Sequence, residues 1–486
     1  MQQEETSWAA TEFKDIDLGD QRLNKRAVLL AERLAEKPTA SIPSACGGWA
    51  ETAAAYRFLA QDELDWRDIL APHWQSSAER MRACEVVLCI QDTTELDFNG
   101  QTITGLGPLS YEAQRGLYLH PTYAVTPSRE PLGVLDAYMW AREPKGADGV
   151  RPGIKESTRW TEGYERVAEQ AAALPATRLV YVADRESDIM ALMVKAKELG
   201  HPADWLLRSQ HNRTLPGGGK LWDKVTAGEP VGRIHFTLAA RQAQPARAVR
   251  QQVWAQRVAL PDAAGGVVSA TCIVAREVDP PAGVKPIEWR LLSNREVDDL
   301  DAAAQLIDWY RARWEVELFF HVLKNGCRVE ALQLASMARL ERALALFMVV
   351  AWRIARLMRL GRTCPDLDAG LLFERDEWRA AFILNKKKPP KTSPRLNEVV
   401  RLVAMLGGFL ARKGDGEPGV KTIWQGLQRV MDFAAGLRYA RELGDRLVCN
   451  QMPQRIVEIM LSSRKLKLPP DRLRRGCCGK SSCYFT

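Results

Sequence analysis

Between Asp308 and Gly326 the chain reads DWYRARWEVELFFHVLKNG, and no other stretch constrains the fold as strongly. Tyr310, Arg313, Glu317 and Lys324 follow one another at intervals of 3, 4 and 7 residues. At about 100° per residue, an α-helix gathers these four within a sector of roughly 60°. One helical stripe then carries a phenol, a guanidinium, a carboxylate and an ammonium. Trp309, Trp314, Leu318, Phe319 and Phe320 surround it, so much of this helix is expected to be buried. A carboxylate flanked by two cations suits a metal ion and a phosphodiester held side by side. The alternative is a solvated face with i,i+4 ion pairs such as Arg313 with Glu317; the aromatic neighbours weigh against it.

A chain of 486 residues has room for roughly two to four domains and at least one large core. No run of 18 apolar residues occurs, so no membrane span is expected. The opening MQQEETSWAATEF is acidic and polar, unlike a secretory signal. A net charge of +8 points toward polyanionic partners. The ten cysteines are scattered without a CxxC pair, the pattern of reduced thiols in a cytosolic protein. Cys477, Cys478 and Cys483 make a weak zinc candidate, since no histidine lies near them.

Residues 1 to about 70 read as a basic helical module. LGDQRLNKRAVLLAERLAEKP carries Leu23, Val28, Leu30 and Leu34 among arginines and lysines, with Pro38 ending the helix; GWAETAAAYRFLA is a second. Phosphate contact and a solvated bundle are equally open there. From residue 85 the pattern turns to strands. VVLCI leads into Asp92, and LYLHPTYAV and LGVLDAYMWAR follow across TPSREP. A helix fits 156–173, RLVYVADRESDIMALMVKAKELG is a strand and a helix, and DWLLRS is one more strand. A meander followed by helix, strand, helix, strand predicts a mixed α/β sheet. Residues about 212–290 read as a β-rich insertion, within which PGGGK is a turn, since it lacks the spacing of a phosphate loop. Residues 335–360 are a core helix. Residues 365–450 are helical and broken by the basic loop NKKKPPKTSP, a linker or a phosphate contact; 451–486 form a basic tail.

Three acids on different elements stand out. Asp92 and Asp184 end apolar strands, where open α/β sheets place their chemistry, and Glu317 lies on the stripe. Divalent ions can activate an oxygen nucleophile and stabilise the leaving oxygen of a phosphodiester. Mg²⁺ and Mn²⁺ prefer oxygen donors, so Asp and Glu suffice. Asp97, Glu186 and Asp188 are close enough in sequence to be the ligands instead. A metal-free glycan hydrolase with a carboxylate pair is a further alternative.

The chain resembles DDE transposases of the IS-four group, in particular the transposon-five branch. That family carries a Y-x2-R-x3-E-x6-K pattern, matched by Tyr310, Arg313, Glu317 and Lys324. IQDTTELDF and VADRESDI resemble the segments around its first two aspartates, which gives Asp92 and Asp184. LLRSQH resembles a strand whose arginine lies in the active site, here Arg208, and Trp289 in IEWRLLSN matches a tryptophan that stacks on a flipped base. The resemblance covers roughly residues 10–445 and implies an RNase H-like catalytic core at 71–364, with a β-rich insertion at about 212–290. It also implies a DNA-end-binding domain at 1–70 and a C-terminal dimerisation domain at 365–450. Asp92, Asp184 and Glu317 would bind two Mg²⁺ or Mn²⁺ ions, and Tyr310, Arg313, Lys324, Arg208 and Trp289 would contact DNA. Arg22, Arg26 and Arg57 match basic N-terminal positions, whereas Glu36 stands where the family has a basic residue. The implied activity is cut-and-paste excision of transposon ends through a hairpin, then strand transfer into target DNA, by a homodimer in the bacterial cytosol near the nucleoid. A DNA-binding inhibitor without catalysis is the competing reading; the intact acids and stripe argue against it.

Overall fold

The run VVLCIQ is apolar and β-branched without alternation, the composition of a strand covered on both faces. It forms β1 (Val86–Gln91), buried along its length after Val86. β2 (Thr94–Asp97) and β3 (Gly107–Pro108) are short, and β4 (Arg115–Val125) and β5 (Pro131–Trp140) make a hairpin. β6 (Arg178–Ala183) and β7 (Asp204–Arg208) follow, then β8 (Gly232–Leu238), β9 (Arg247–Pro261), β10 (Val267–Glu277) and β11 (Glu288–Ser293). The computed structural model describes residues 7–153, 155–238, 246–262 and 265–449, without the side chains of 442 and 444–449. The tail, including the cysteines weighed as a zinc site, lies outside the described residues.

All these strands join one sheet in the order β4-β1-β6-β7-β11-β10-β9-β8, with β2, β3 and β5 also paired to β4. β1, β6 and β7 run parallel, and β4 is antiparallel to β1. Helices Thr158–Ala173 and Met190–Glu198 cross over between the parallel strands and bury Trp160, Tyr164, Leu192 and Met193 against Cys89, Tyr181 and Trp205. This is the mixed sheet expected from the strand pattern, and the RNase H-like core that the family resemblance implies. The predicted meander is present, with β2 and β3 inserted; strands of four and two residues are too short to show a period. The β-rich insertion builds no sheet of its own. It prolongs the central one, because β11 pairs antiparallel with β7.

Helix Gln21–Glu36 starts at Asp20, whose carboxylate accepts from the Arg22 N–H at 2.7 Å, an N-cap. Leu30 and Leu34 are buried as expected, with Ala27, Ala31 and Ala35 beside them; the small side chains let neighbouring helices approach. Helix Trp49–Leu59 is tied down from afar. The buried Arg342, on helix Met337–Thr363, donates to the carbonyls of Leu59 (2.9 Å) and Leu64 (2.6 Å). Helices Arg375–Leu384, Leu396–Leu406 and Val420–Cys449 complete the C-terminal part. The chain up to Ala434 is one compact unit, and 435–449, the end of the last helix, belong to a second. No described helix is long and apolar enough to cross a membrane.

A buried polar network joins the first helix, Trp8–Glu12, to the sheet. Glu12 accepts from His73 Nδ1 (2.5 Å) and from both terminal nitrogens of Arg80 (2.9 Å each), while the Val134 N–H donates to His73 Nε2 (3.0 Å). With Nε2 accepting, His73 is the neutral Nδ1–H tautomer, and burial pushes its pKa down. Burial alone would raise the Glu12 carboxyl, but the bonds from His73 and Arg80 hold it at about 2. Both groups bind protons more readily once unfolded, so stability falls as pH falls. Glu12 at about 2 against an ordinary 4.5 contributes roughly 3 kcal/mol, present above pH 4.5 and lost between there and pH 2. Glu12→Gln should therefore melt well below the wild type at pH 7, and the gap should close on acidification through that window. A gap independent of pH would contradict the assignment.

Candidate active site

The stripe is not one uninterrupted α-helix, as its spacing predicts. Helix Leu300–Arg311 ends, helix Trp314–His321 begins after two intervening residues, and Val322–Gly326 form a π-helical turn. At the junction the N–H groups of Arg313, Glu315 and Val316 bond three residues back, to Tyr310 (3.0 Å), Ala312 (3.0 Å) and Arg313 (3.1 Å), a 3₁₀ tightening. The stripe climbs from the core to the surface. Tyr310 is 2% exposed, whereas the Glu317 side chain is 47% exposed. Trp309, Phe319 and Phe320 are buried as expected, but Leu318 is only half-buried and Trp314 is 56% exposed. The wheel of helix Trp314–His321 explains the correction: Trp314 and Leu318 stand about 60° and 100° from the exposed Glu317, on the open side, and Phe319 about 160° away on the other.

β1 and β6 pair in parallel with Gln91 opposite Ala183. Asp92 and Asp184 are therefore the next residues on strands spaced about 4.8 Å apart. Asp184 also caps the 3₁₀ turn Arg185–Ser187, accepting from the Glu186 N–H at 2.8 Å. Asp92 accepts from the Thr93 N–H at 2.9 Å through Oδ1, and Oδ2 pairs with Arg313. The same guanidinium reaches Glu317 at 3.1 Å. Burial pushes the Asp92 carboxyl up to about 7; Arg313 opposes this, and the charges of Asp184 and Glu317 add to it. The three acids are thus brought into one electrostatic neighbourhood. Their carboxylate oxygens are the donors that Mg²⁺ and Mn²⁺ take. No group of three or more His, Cys, Asp and Glu that could hold a metal is found among the described residues; the Arg313 guanidinium stands between Asp92 and Glu317.

Two of the alternative acids are engaged elsewhere. Asp97 accepts from the Asn99 N–H (2.8 Å) and from Gln114 (3.0 Å). Asp188 is buried and accepts from the N–H groups of Gln210 (2.6 Å) and His211 (2.9 Å), with Arg213 at 2.6 Å. It anchors the loop that follows Arg208. Glu186 is exposed, beside a cavity of about 220 Å³.

On the other flank, Arg208 ends β7, opposite Leu291 of β11. The Trp289 ring meets Tyr310 edge-on at 5.5 Å, and the Arg208 guanidinium lies 5.9 Å from Trp289. Burial pushes the Tyr310 phenol up to about 12, so it stays a donor, and its hydroxyl has no partner among the described residues. Lys324 sits on the π turn and pairs with Glu330 (3.3 Å), whose carboxylate also accepts from the Asp97 N–H. In the N-terminal helices Arg22 and Arg57 are exposed and Arg26 is half-buried. The pairing of Thr93 with His120, and the loop anchor at Asp188, were not foreseen from sequence. Register between β1, β2 and β4 is what exposes the first.

Three family models match along the chain: transposase DNA-binding over residues 5–64, transposase DDE domain over 202–352, and transposase Tn5 dimerisation domain over 349–446. The DDE match includes Arg208, Trp289 and the whole stripe; Asp92 and Asp184 precede it. A piggyBac transposase synaptic complex with hairpin DNA aligns over 92% of this chain and 82% of its own, at 9% identity and a TM-score of 0.36, a likeness too weak to argue from. A DDE domain performs divalent-metal-dependent phosphodiester chemistry, and the modules beside it bind DNA and dimerise. With all three in one polypeptide, this chain is a DDE transposase resembling that of Tn5.

Proposed function

We propose that this transposase excises its element by cut-and-paste at Asp92, Asp184 and Glu317 and then joins the freed ends to target DNA. The observation that carries the reading is the bridging of Asp92 and Glu317 by Arg313, beside Asp184 at the adjoining strand end. The three acids would hold two Mg²⁺ or Mn²⁺ ions, which supply Lewis-acid stabilisation of the attacking and leaving oxygens when bound.

The remaining work falls to side chains of the stripe. Arg313 is a planar fork suited to a phosphate, and it moves from the carboxylates to the scissile region when DNA arrives. The unpartnered Tyr310 hydroxyl donates to a phosphate oxygen. Arg208 and Lys324 add positive charge along the backbone. Trp289, edge-on to Tyr310, offers a face to an unpaired base; stacking at about 1–3 kcal/mol offsets part of the few kcal/mol that flipping costs. In the proposed sequence, water cleaves one strand and frees a 3′-hydroxyl. That hydroxyl attacks the opposite strand to close a hairpin, water reopens it, and the 3′-hydroxyl then attacks target DNA. Residues 1–70, with Arg22, Arg26 and Arg57, read the terminal repeat, 71–364 perform the chemistry, and 365–450 hold the dimer, in which each end is bound by one subunit and cleaved by the other. The compartment is the bacterial cytosol, at the nucleoid.

The test is footprinting and Mg²⁺-dependent cleavage on duplexes carrying the DNA that flanks the coding region. Protection and nicking at one repeated end sequence are expected, with affinity falling by orders of magnitude between low and moderate salt as counterions are released. Salt-insensitive binding, or binding without cleavage in Mn²⁺, would count against the reading. Trp289→Ala should slow hairpin closure by roughly 10- to 100-fold with little change in the first nick, as gel-resolved time courses would reveal.

A further inference from the structure

Strand β4 changes partner along one edge. Its Thr122 pairs with Gln91 at the end of β1, and its Leu119 pairs with Thr94 at the start of β2. Register is conserved across the change, so Asp92 and Thr93, outside the ladder, stand opposite Pro121 and His120. Pro121 has no N–H to give to a ladder, and the interruption falls at its position. Asp92 thus leaves the sheet while still anchored on both sides.

Across the gap, His120 Nδ1 and Thr93 Oγ1 lie 2.6 Å apart. The Thr93 N–H in turn donates to Asp92 Oδ1 at 2.9 Å. His120 is 1% exposed, with Trp160 edge-on at 4.5 Å and Trp140 and Tyr138 at 6.2 and 6.3 Å. Burial pushes its pKa down to about 3, so the ring is neutral. Its Nε2 has no partner among the described residues. A phenylalanine would fill the same space without that unpaired nitrogen, which places the value of the imidazole at Nδ1. Packed rings fix the imidazole, the imidazole fixes the Thr93 hydroxyl, and the Thr93 backbone fixes one oxygen of Asp92.

We propose that His120, acting through Thr93, is a positioning residue that holds the Asp92 carboxylate in the orientation its metal requires. This rests on Asp92 being a metal ligand, as in the reading above. Outer partners of this kind set ligand orientation in many metal sites.

Thr93→Val removes the hydroxyl at constant shape, Thr93→Ser restores it, and His120→Phe keeps the ring without Nδ1. Each is compared with wild type in Mn²⁺ titrations of cleavage on the flanking-DNA duplex, and in Mn²⁺ binding to the protein–DNA complex by EPR. Gel shifts in EDTA and melting curves accompany both. Thr93→Val and His120→Phe should lower the maximal cleavage rate and raise the half-saturating Mn²⁺ by roughly 10- to 100-fold, with Thr93→Ser within about threefold of wild type. DNA affinity and melting should be unchanged in Thr93→Val. Wild-type Mn²⁺ binding by Thr93→Val overturns the proposal, as does a Thr93→Ser protein as impaired as Thr93→Val. A wild type that binds Mn²⁺ tightly but cleaves nothing counts against the excision reading and leaves the Mn²⁺ comparison to decide this one.

Discussion

Asp184→Asn should abolish cleavage and strand transfer while leaving the fold and DNA binding intact. The carboxylate has two separable uses. As the cap of the turn Arg185–Ser187 it accepts one N–H bond, and asparagine caps about as well as aspartate. As a candidate metal ligand it supplies an anionic oxygen that asparagine lacks. Lewis-acid stabilisation supplies several kcal/mol, and each 1.36 kcal/mol is tenfold in rate, so a loss of about a thousandfold or more is expected. Asp92→Asn should lose cleavage to the same extent but also lose stability, because it strips Arg313 of its buried partner. The measurements are cleavage with Mg²⁺ and Mn²⁺, gel shift in EDTA, and thermal melting. An Asp184→Asn protein that cuts near the wild-type rate would move the metal site elsewhere.

Removing Arg313 should have the largest effect on the metal-free protein. Its guanidinium compensates Asp92 and Glu317 together, and stripping one partner from a buried pair costs about 3–5 kcal/mol. Part of that cost is relieved when Asp92 takes up a proton. The sign follows from the raised carboxyl: at about 7, against an ordinary 3.8, folded Asp92 binds protons more readily than the unfolded chain, so stability falls as pH rises through that window. In Arg313→Gln the folded value rises further, and the decline extends above pH 7. Melting in EDTA from pH 5 to 9 should show the variant diverging from wild type as pH rises. Mn²⁺ should then stabilise Arg313→Gln more than wild type, because an external cation replaces the missing one. Arg313→Lys should restore little, since one ammonium cannot reproduce a fork that spans two carboxylates. Parallel pH profiles, or equal stabilisation by Mn²⁺, would refute this account.

Much of the site was legible in the linear chain. Helical periodicity grouped Tyr310, Arg313, Glu317 and Lys324, because residues 3, 4 and 7 apart share a helix face whatever surrounds them. The apolar runs before Asp92 and Asp184 marked them as strand ends, and those strands proved adjacent and parallel. What periodicity could not convey was the change of pitch inside the segment, a 3₁₀ junction at Arg313 and a π turn under Lys324. Aromatic content pointed to burial for Trp314 because hydrophobicity carries no direction; the wheel position did.

Sequence by itself determined the local elements and the chemistry each one carries, since propensity and side-chain type are properties of near neighbours along the chain. Tertiary structure alone decided which acids meet. It brought Arg313 to Asp92 across 221 residues, spent Asp188 on backbone N–H groups, and set His120 against Thr93 through the register of β4. Such contacts depend on which strand edges pair and in what register, and that is settled by burial of the whole sheet rather than by any segment of it.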